Sequence, residues 1–253
     1  MLPVSRLPIL TFHALDHEPA VYSLSPQMFR HGMRQLHAHG FKTIHLDHVV
    51  DVLRSGREFP ARTVAITFDD GYWSFYAEAF PILQEFEMTA TVFIPTGDQR
   101  HAASTDRLPT LEGREMLGWP QIREMARAGI AFGAHSMTHP DLRKLSDQDV
   151  SREILGSKDV LEDRLGQAVS SFAYPFGFFD ARSRAVVQQH FAAGVSDALG
   201  FVEPTSDPWT LARLDSYYLR TEPRFDSFFQ PWFPAYLRAR NLPRRLRRWV
   251  RRS

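Results

Sequence analysis

Short apolar runs alternate along this chain with longer segments in which apolar residues return every three or four positions. Residues 9–12, 42–46, 64–68, 90–94, 130–134, 171–174 and 192–195 are rich in β-branched and aromatic side chains and predict strands. Between them, residues 26–39 behind a Ser25 cap, 74–86, 119–128, 146–165 and 180–190 carry helical spacing. Strand and helix in repeated alternation imply a parallel sheet, because each crossover must carry the chain back before the next strand begins. The strands are apolar almost throughout, so both faces are covered; about seven of them predict an α/β fold that closes like a barrel, with helices outside.

Composition sharpens this picture in three ways. At 253 residues and 43% hydrophobic content, with prolines and glycines scattered and no low-complexity tract, the chain reads as a single domain. It has no cysteine, so disulfides, thiolate catalysis and thiolate metal ligation are excluded, and any metal must be held by His and carboxylate. Residues 1–8 lack a basic start leading into an apolar core, and nowhere do 18 apolar residues run together, so a cytoplasmic location is expected.

The net charge of +1 hides an asymmetry. Residues 237–253 hold eight arginines and no acid, while the rest of the chain carries 22 basic against 29 acidic side chains. Leu237, Leu242, Leu246, Trp249 and Val250 recur at roughly helical spacing among those arginines. The chain therefore divides into a body, 1–236, and a basic amphipathic tail, 237–253, suited to peripheral contact with an anionic membrane surface. The plainer alternative is a solvated helix packed on the body. Nucleic acid is a poorer partner, since a basic patch alone is weak evidence for it.

Parallel α/β barrels carry their reactive residues at the carboxyl ends of strands, and the polar residues of interest fall there. Thr67-Phe68-Asp69-Asp70-Gly71 sets two adjacent carboxylates after strand 64–68. Two buried like charges resist joint ionisation unless a cation accompanies them: one carboxylate can ligate a divalent ion while the other stays ionised to accept a proton. Without an ion, the same residues make an ordinary Asp-Asp-Gly surface turn. His135-Ser136-Met137-Thr138-His139 follows strand 130–134 and offers two imidazoles four residues apart that can share one ion, zinc being well suited. Tyr174-Pro175-Phe176-Gly177 ends strand 171–174 with aromatic side chains able to face a sugar ring and backbone able to donate to an oxyanion.

Together these three motifs resemble the polysaccharide deacetylase family, the NodB-homology or carbohydrate esterase family 4 group, over roughly residues 8–215. The resemblance implies a distorted (β/α) barrel and a hydrolase that removes an N-acyl group, normally acetyl, from an amino sugar of a glycan. It implies one divalent metal ion, Zn²⁺ being the best match, on Asp70, His135 and His139; Asp69 as general base; and the Phe176 N–H as oxyanion donor. Tyr174, Pro175 and Gly177 are expected beside Phe176 in substrate binding.

Two departures are visible. Ala173 stands where the family usually has the arginine that holds its base, a form that resembles the poly-N-acetylglucosamine deacetylase branch, and Arg213 is the proposed replacement. The late Leu-x-x-x-His motif, the usual source of the general acid, is absent; His190 reads as structural, and the proton for the departing amine must come from protonated Asp69, from His13 at the end of the first strand, or from water. Two rival readings remain open: a deacylase or deformylase of a lipid-linked sugar at the cytoplasmic membrane face, and a catalytically weak sugar-binding protein.

Overall fold

The computed structural model describes residues 6–18, 23–97 and 106–250, with side chains described as far as Asn241. Its centre is a ring of seven parallel strands: β1 (Ile9–Phe12), β5 (Thr63–Phe68), β6 (Thr91–Ile94), β7 (Ala131–Ala134), β8 (Ser171–Ala173), β9 (Ala193–Leu199) and β10 (Leu211–Asp215). The ring closes because β1 pairs with β5 on one side, Leu10 opposite Ile66, and with β10 on the other, Leu10 opposite Leu214. This is a distorted (β/α) barrel in one domain, as expected, but its seventh stave is not the expected one.

The strand expected at 42–46 shrinks to β4 (Lys42–Thr43), which pairs only with the start of β5. Leu46 instead begins α2 (Leu46–Ser55), whose Val49, Val50 and Val52 are buried with it. The missing stave is β10, a segment that carries an arginine at its middle. A two-strand side pairing, β2 (Ala14–Leu15) with β3 (Ser23–Leu24), follows β1.

Helices α1 (Pro26–Ala38), α4 (Trp119–Arg127), α5 (Asp147–Leu165) and α6 (Ala181–His190) match the expected segments. Ser25 caps α1, its Oγ accepting from Met28 N at 3.1 Å, and Ser146 and Asp180 cap α5 and α6 in the same way. The helix expected at 74–86 starts as a π-helical turn, Phe75–Ala79, before α3 (Phe80–Glu85). Pro81 lacks the N–H that a regular ladder needs, and the wider turn absorbs it.

Alternation along the strands explains the interior. Ile9, Ala65, Phe93, Ala173, Ala193, Val195 and Leu211, all odd-numbered, form one cluster inside the barrel, closed by Leu46, Val49 and Val50 of α2. Their even-numbered neighbours, such as Leu10, Ile66, Val92 and Phe172, join the larger cluster beneath the helices. Moving along the odd-numbered face toward the carboxyl ends, apolar side chains give way to Thr11, Asp69, His135, Asp197, Arg213 and Asp215, which line a cleft of about 520 Å³.

After a 3₁₀ turn, Ser216–Leu219, and α7 (Glu222–Ser227), the last described element is α8 (Phe233–Val250). The division expected at 236/237 falls within this continuous helix. Phe233 and Leu237 are buried against the barrel, and Asn241 Nδ2 donates to the Leu199 carbonyl at 2.8 Å. Arg240 lies over the rings of Tyr218 and Tyr236. The side chains from residue 242 onward, which carry most of the expected basic face, lie outside the described residues. Among the described residues, no helix is long and apolar enough to cross a membrane.

Candidate active site

Asp69 follows β5 on the inward-facing phase and meets Arg213 of β10 in a two-pronged ion pair. Arg213 Nη1 donates to Asp69 Oδ1 and Nη2 to Oδ2, both at 2.7 Å. The guanidinium is fixed in turn by Nε donating to the Ser196 carbonyl at 3.1 Å. Both side chains are almost wholly buried. Burial alone pushes the Asp69 carboxyl up, but the charge and hydrogen bonds of Arg213 outweigh it and hold the group well below the usual carboxylate range. Asp69 is therefore an ionised, oriented carboxylate.

The absence of an arginine at position 173 now has a structural account. Ala173 faces the barrel interior, and its carbonyl accepts from His135 Nδ1 at 2.7 Å. The cation reaches Asp69 from β10 instead. Because a carbonyl can only accept, His135 Nδ1 carries a proton, which leaves Nε2 as the ring nitrogen open to a cation in the cleft.

Asp70 has the even number that would send its side chain outward, yet it faces inward because its backbone takes φ 75°, with Gly71 following at 74°. A side chain at Gly71 would strike Ile94 and Leu108, so this double turn needs glycine second. His135 Nε2 lies 3.4 Å and His139 Nε2 3.6 Å from Asp70 Oδ1. The three donor atoms fall within 4.8 Å of one another. Donors about 2.0–2.1 Å from a tetrahedral zinc stand about 3.3–3.4 Å apart along an edge, so this trio fits such an ion. Burial lowers the pKa of His139 to about 4, with His135 adding to the effect, which keeps its imidazole neutral and able to ligate at neutral pH. For His135 burial acts downward, but the hydrogen bond to Asp70 and the two aspartate charges carry its pKa above the ordinary value. The same negative charge that draws a proton to His135 would hold a cation.

Ser136 and His139 also take left-handed backbone conformations, φ 65° and 56°. Such strain persists only where the surroundings fix it, and it clusters at functional sites. Phe176 is a further case: φ 56°, followed by Gly177 at 68°. Any side chain at Gly177 would collide with Asp197. The Phe176 ring is half exposed at the mouth and packs edge-on to His139, centroids 4.6 Å apart. His13, at the end of β1, places Nε2 3.9 Å from Asp69 Oδ2.

Two of the residues expected to contact substrate do not line the cleft. Tyr174 has an even number, so alternation turns it outward; it is fully buried among Phe172 and Phe179, and its hydroxyl donates to the Trp209 carbonyl at 3.0 Å. Pro175 is buried as well. Phe176 and Gly177 do line the cleft. His190, at the end of α6, is exposed and apart from it.

The cleft also contains residues that no motif announced. Tyr72, Glu112 and Arg114 form one wall. Arg114 makes a two-pronged pair with Asp16, at 3.0 and 2.9 Å, and lies over the Tyr72 ring. Burial and the adjacent Asp70 and Glu112 charges push the Tyr72 phenol far above its ordinary value, so its hydroxyl stays a donor. Asp16, Glu112 and Arg114 sit in segments without periodicity, where sequence carries no signal of the contact. Glu153 of α5, also unannounced, bonds the loop between the two histidines.

Comparison with known proteins agrees with this geometry. The family model described as polysaccharide deacetylase matches residues 56–194. A poly-β-1,6-N-acetyl-D-glucosamine N-deacetylase of Staphylococcus epidermidis is 28% identical over 223 residues, covering 83% of this chain and 72% of that protein. The structure of the Streptococcus pyogenes deacetylase PplD in complex with acetate superposes with a TM-score of 0.74 at 25% identity, covering 83% of this chain and 92% of that one. IcaB from Ammonifex degensii shares the fold, with a TM-score of 0.73 at 23% identity over 84% of this chain and 94% of that one. The match spans more than half of the sequence and takes in both the paired aspartates and the paired histidines: the chain belongs to the polysaccharide deacetylase family.

Proposed function

We propose that this protein is a metal-dependent N-deacetylase of N-acetylglucosamine residues in a glycan, with a β-1,6-linked polymer as the leading substrate. The observation that carries the reading is the ionised Asp69, gripped by Arg213, standing next to an Asp70–His135–His139 trio whose donor atoms lie within 4.8 Å of one another. The likeness to the S. epidermidis deacetylase supplies the substrate class.

A divalent ion on Asp70, His135 and His139 would polarise the acyl carbonyl and make a water acidic enough to attack near neutral pH. Asp69 accepts the proton of the attacking water, and Arg213 keeps both carboxylate oxygens in one orientation while it does so. The Phe176 N–H donates to the oxygen that gains charge as the acyl carbon becomes tetrahedral. His13, 3.9 Å from Asp69, gives a proton to the departing amine. The half-exposed Phe176 ring offers the sugar an apolar face at the mouth.

A sugar-binding protein without catalysis would have no use for Asp69, since the trio can hold an ion without it, and still less for a buried arginine spent on orienting it. The tail adds a place of action: eight arginines with no acid, following a body of opposite net charge, suit transient adhesion to an anionic membrane surface. Release of acetate and free amine from β-1,6-linked and β-1,4-linked N-acetylglucosamine oligomers, with and without added zinc, tests the reading. Preference for the β-1,6 series supports it, and turnover of neither series removes it.

A further inference from the structure

The loop that joins the two histidine ligands is held by one buried carboxylate from outside the motif. Glu153 of α5 is 6% exposed. Its Oε2 accepts from Met137 N at 2.9 Å and Thr138 N at 2.8 Å, and its Oε1 accepts from Thr138 Oγ1 at 2.8 Å. The opposite side of the loop is bound to the exit of β6: Thr96 N donates to the Ser136 carbonyl at 3.3 Å and Gly97 N to that of Met137 at 2.8 Å. Ser136 Oγ closes the turn by accepting from His139 N at 2.9 Å. α5 approaches closely here, because Gly156, one turn beyond Glu153, leaves room for the Met137 thioether.

We propose that Glu153 is the positioning residue of the metal site, fixing the strained Ser136–His139 turn so that His139 meets the ion beside His135 without reorganisation. The reasoning is local. Ser136 and His139 lie in left-handed conformations that relax unless their surroundings fix them. A charged acceptor shared by two adjacent N–H groups makes stronger bonds than a neutral one and pins both peptide planes at once. Remove it and the turn gains alternative conformations, which must be given up again when the ion binds. The effect therefore falls on ion affinity, through His139, rather than on any group that touches substrate.

This inference rests on the assignment of Asp70, His135 and His139 as ligands, and the test keeps the two apart. Zn²⁺ affinity of the full chain is measured by competition with a chromophoric chelator, and Co²⁺ absorption in the visible reports ligand geometry. Glu153→Ala should weaken Zn²⁺ binding by about 10–100-fold, the usual range for partners that orient metal ligands, and alter the Co²⁺ spectrum. Glu153→Gln should recover most of the affinity, because its amide oxygen can take both N–H bonds while its NH₂ donates to Thr138 Oγ1. Val160→Ala, a core truncation of the same helix, should lower the melting temperature and leave the affinity unchanged. If Glu153→Ala does not fold, Thr138→Val, which deletes only one of the three bonds, should show a smaller loss in the same direction. Wild-type affinity in Glu153→Ala, or in Thr138→Val if that variant must decide, overturns the proposal and leaves the ligand assignment standing. A wild-type chain that binds no Zn²⁺ overturns the ligand assignment and this proposal with it.

Discussion

Arg213 and Asp69, 144 residues apart in sequence, meet across the barrel mouth through two parallel hydrogen bonds of 2.7 Å. The pair is the point at which closing the barrel and orienting Asp69 become one event, because β10 both completes the ring and delivers the guanidinium. Lysine at this position would keep the charge but lose the planar fork. Arg213→Lys should therefore lower kcat by roughly 10²-fold, the scale of a misplaced catalytic group, while zinc content stays at wild-type level. Steady-state kinetics with metal analysis of the same sample checks this; loss of metal along with rate would mean that Arg213 supports the ion rather than the base.

The same pair predicts a pH signature. The Asp69 carboxyl lies below its ordinary 3.8 in the folded chain, so the stability it contributes is complete above that value and is lost only as pH falls toward the lower folded value. Arg213→Met leaves the carboxylate buried and unpaired, at a cost of about 3–5 kcal/mol at pH 7. Burial then raises the carboxyl, and protonation relieves the cost as pH drops. In chelator, the gap in melting temperature between Arg213→Met and wild type should narrow from pH 7 to pH 4. A gap that does not change with pH would contradict the ion pair.

Replacing both His135 and His139 with alanine should abolish stoichiometric zinc while the barrel stays folded, since each histidine lies on a strand-end turn rather than in the apolar interior. Elemental analysis after gel filtration reads the outcome directly. Retained stoichiometric metal in the double variant would move the site elsewhere.

For the tail, each arginine near an anionic leaflet contributes about 1 kcal/mol, and salt weakens the attraction. Co-sedimentation with phosphatidylglycerol vesicles should fall sharply between low and high salt, and should weaken strongly when Arg244, Arg245, Arg247 and Arg248 become Gln. Equal sedimentation of wild type and this four-fold Gln variant would leave α8 as a packing helix only.

The strand-end chemistry was legible in the sequence because Asp69-Asp70-Gly71 and His135–His139 are contiguous motifs, and the local chain carries its own instructions there. Gly71 announces the left-handed turn that swings Asp70 inward. Other features were hidden for definite reasons. β10 reads poorly as a strand because its central Arg213 is tolerable in a barrel interior only when paired with Asp69, a fact of tertiary structure. Residues 42–46 read as one strand, whereas Leu46 is drawn into α2 to close the barrel's interior cluster. Tyr174 looked like a substrate contact by its place in a motif, and strand alternation sends it to the opposite face. Glu153 is one acid among several on α5, and only its distances to Met137 and Thr138 single it out.

The most direct test of the account is deacetylation by zinc-loaded protein of a β-1,6-linked N-acetylglucosamine oligomer, with acetate and free amine counted together, for wild type and Asp69→Asn. The account predicts equal release of both products by wild type, suppression by chelator with recovery on adding zinc, and a fall of about 10²–10⁴-fold in Asp69→Asn with its metal retained. Wild-type turnover in Asp69→Asn would contradict it.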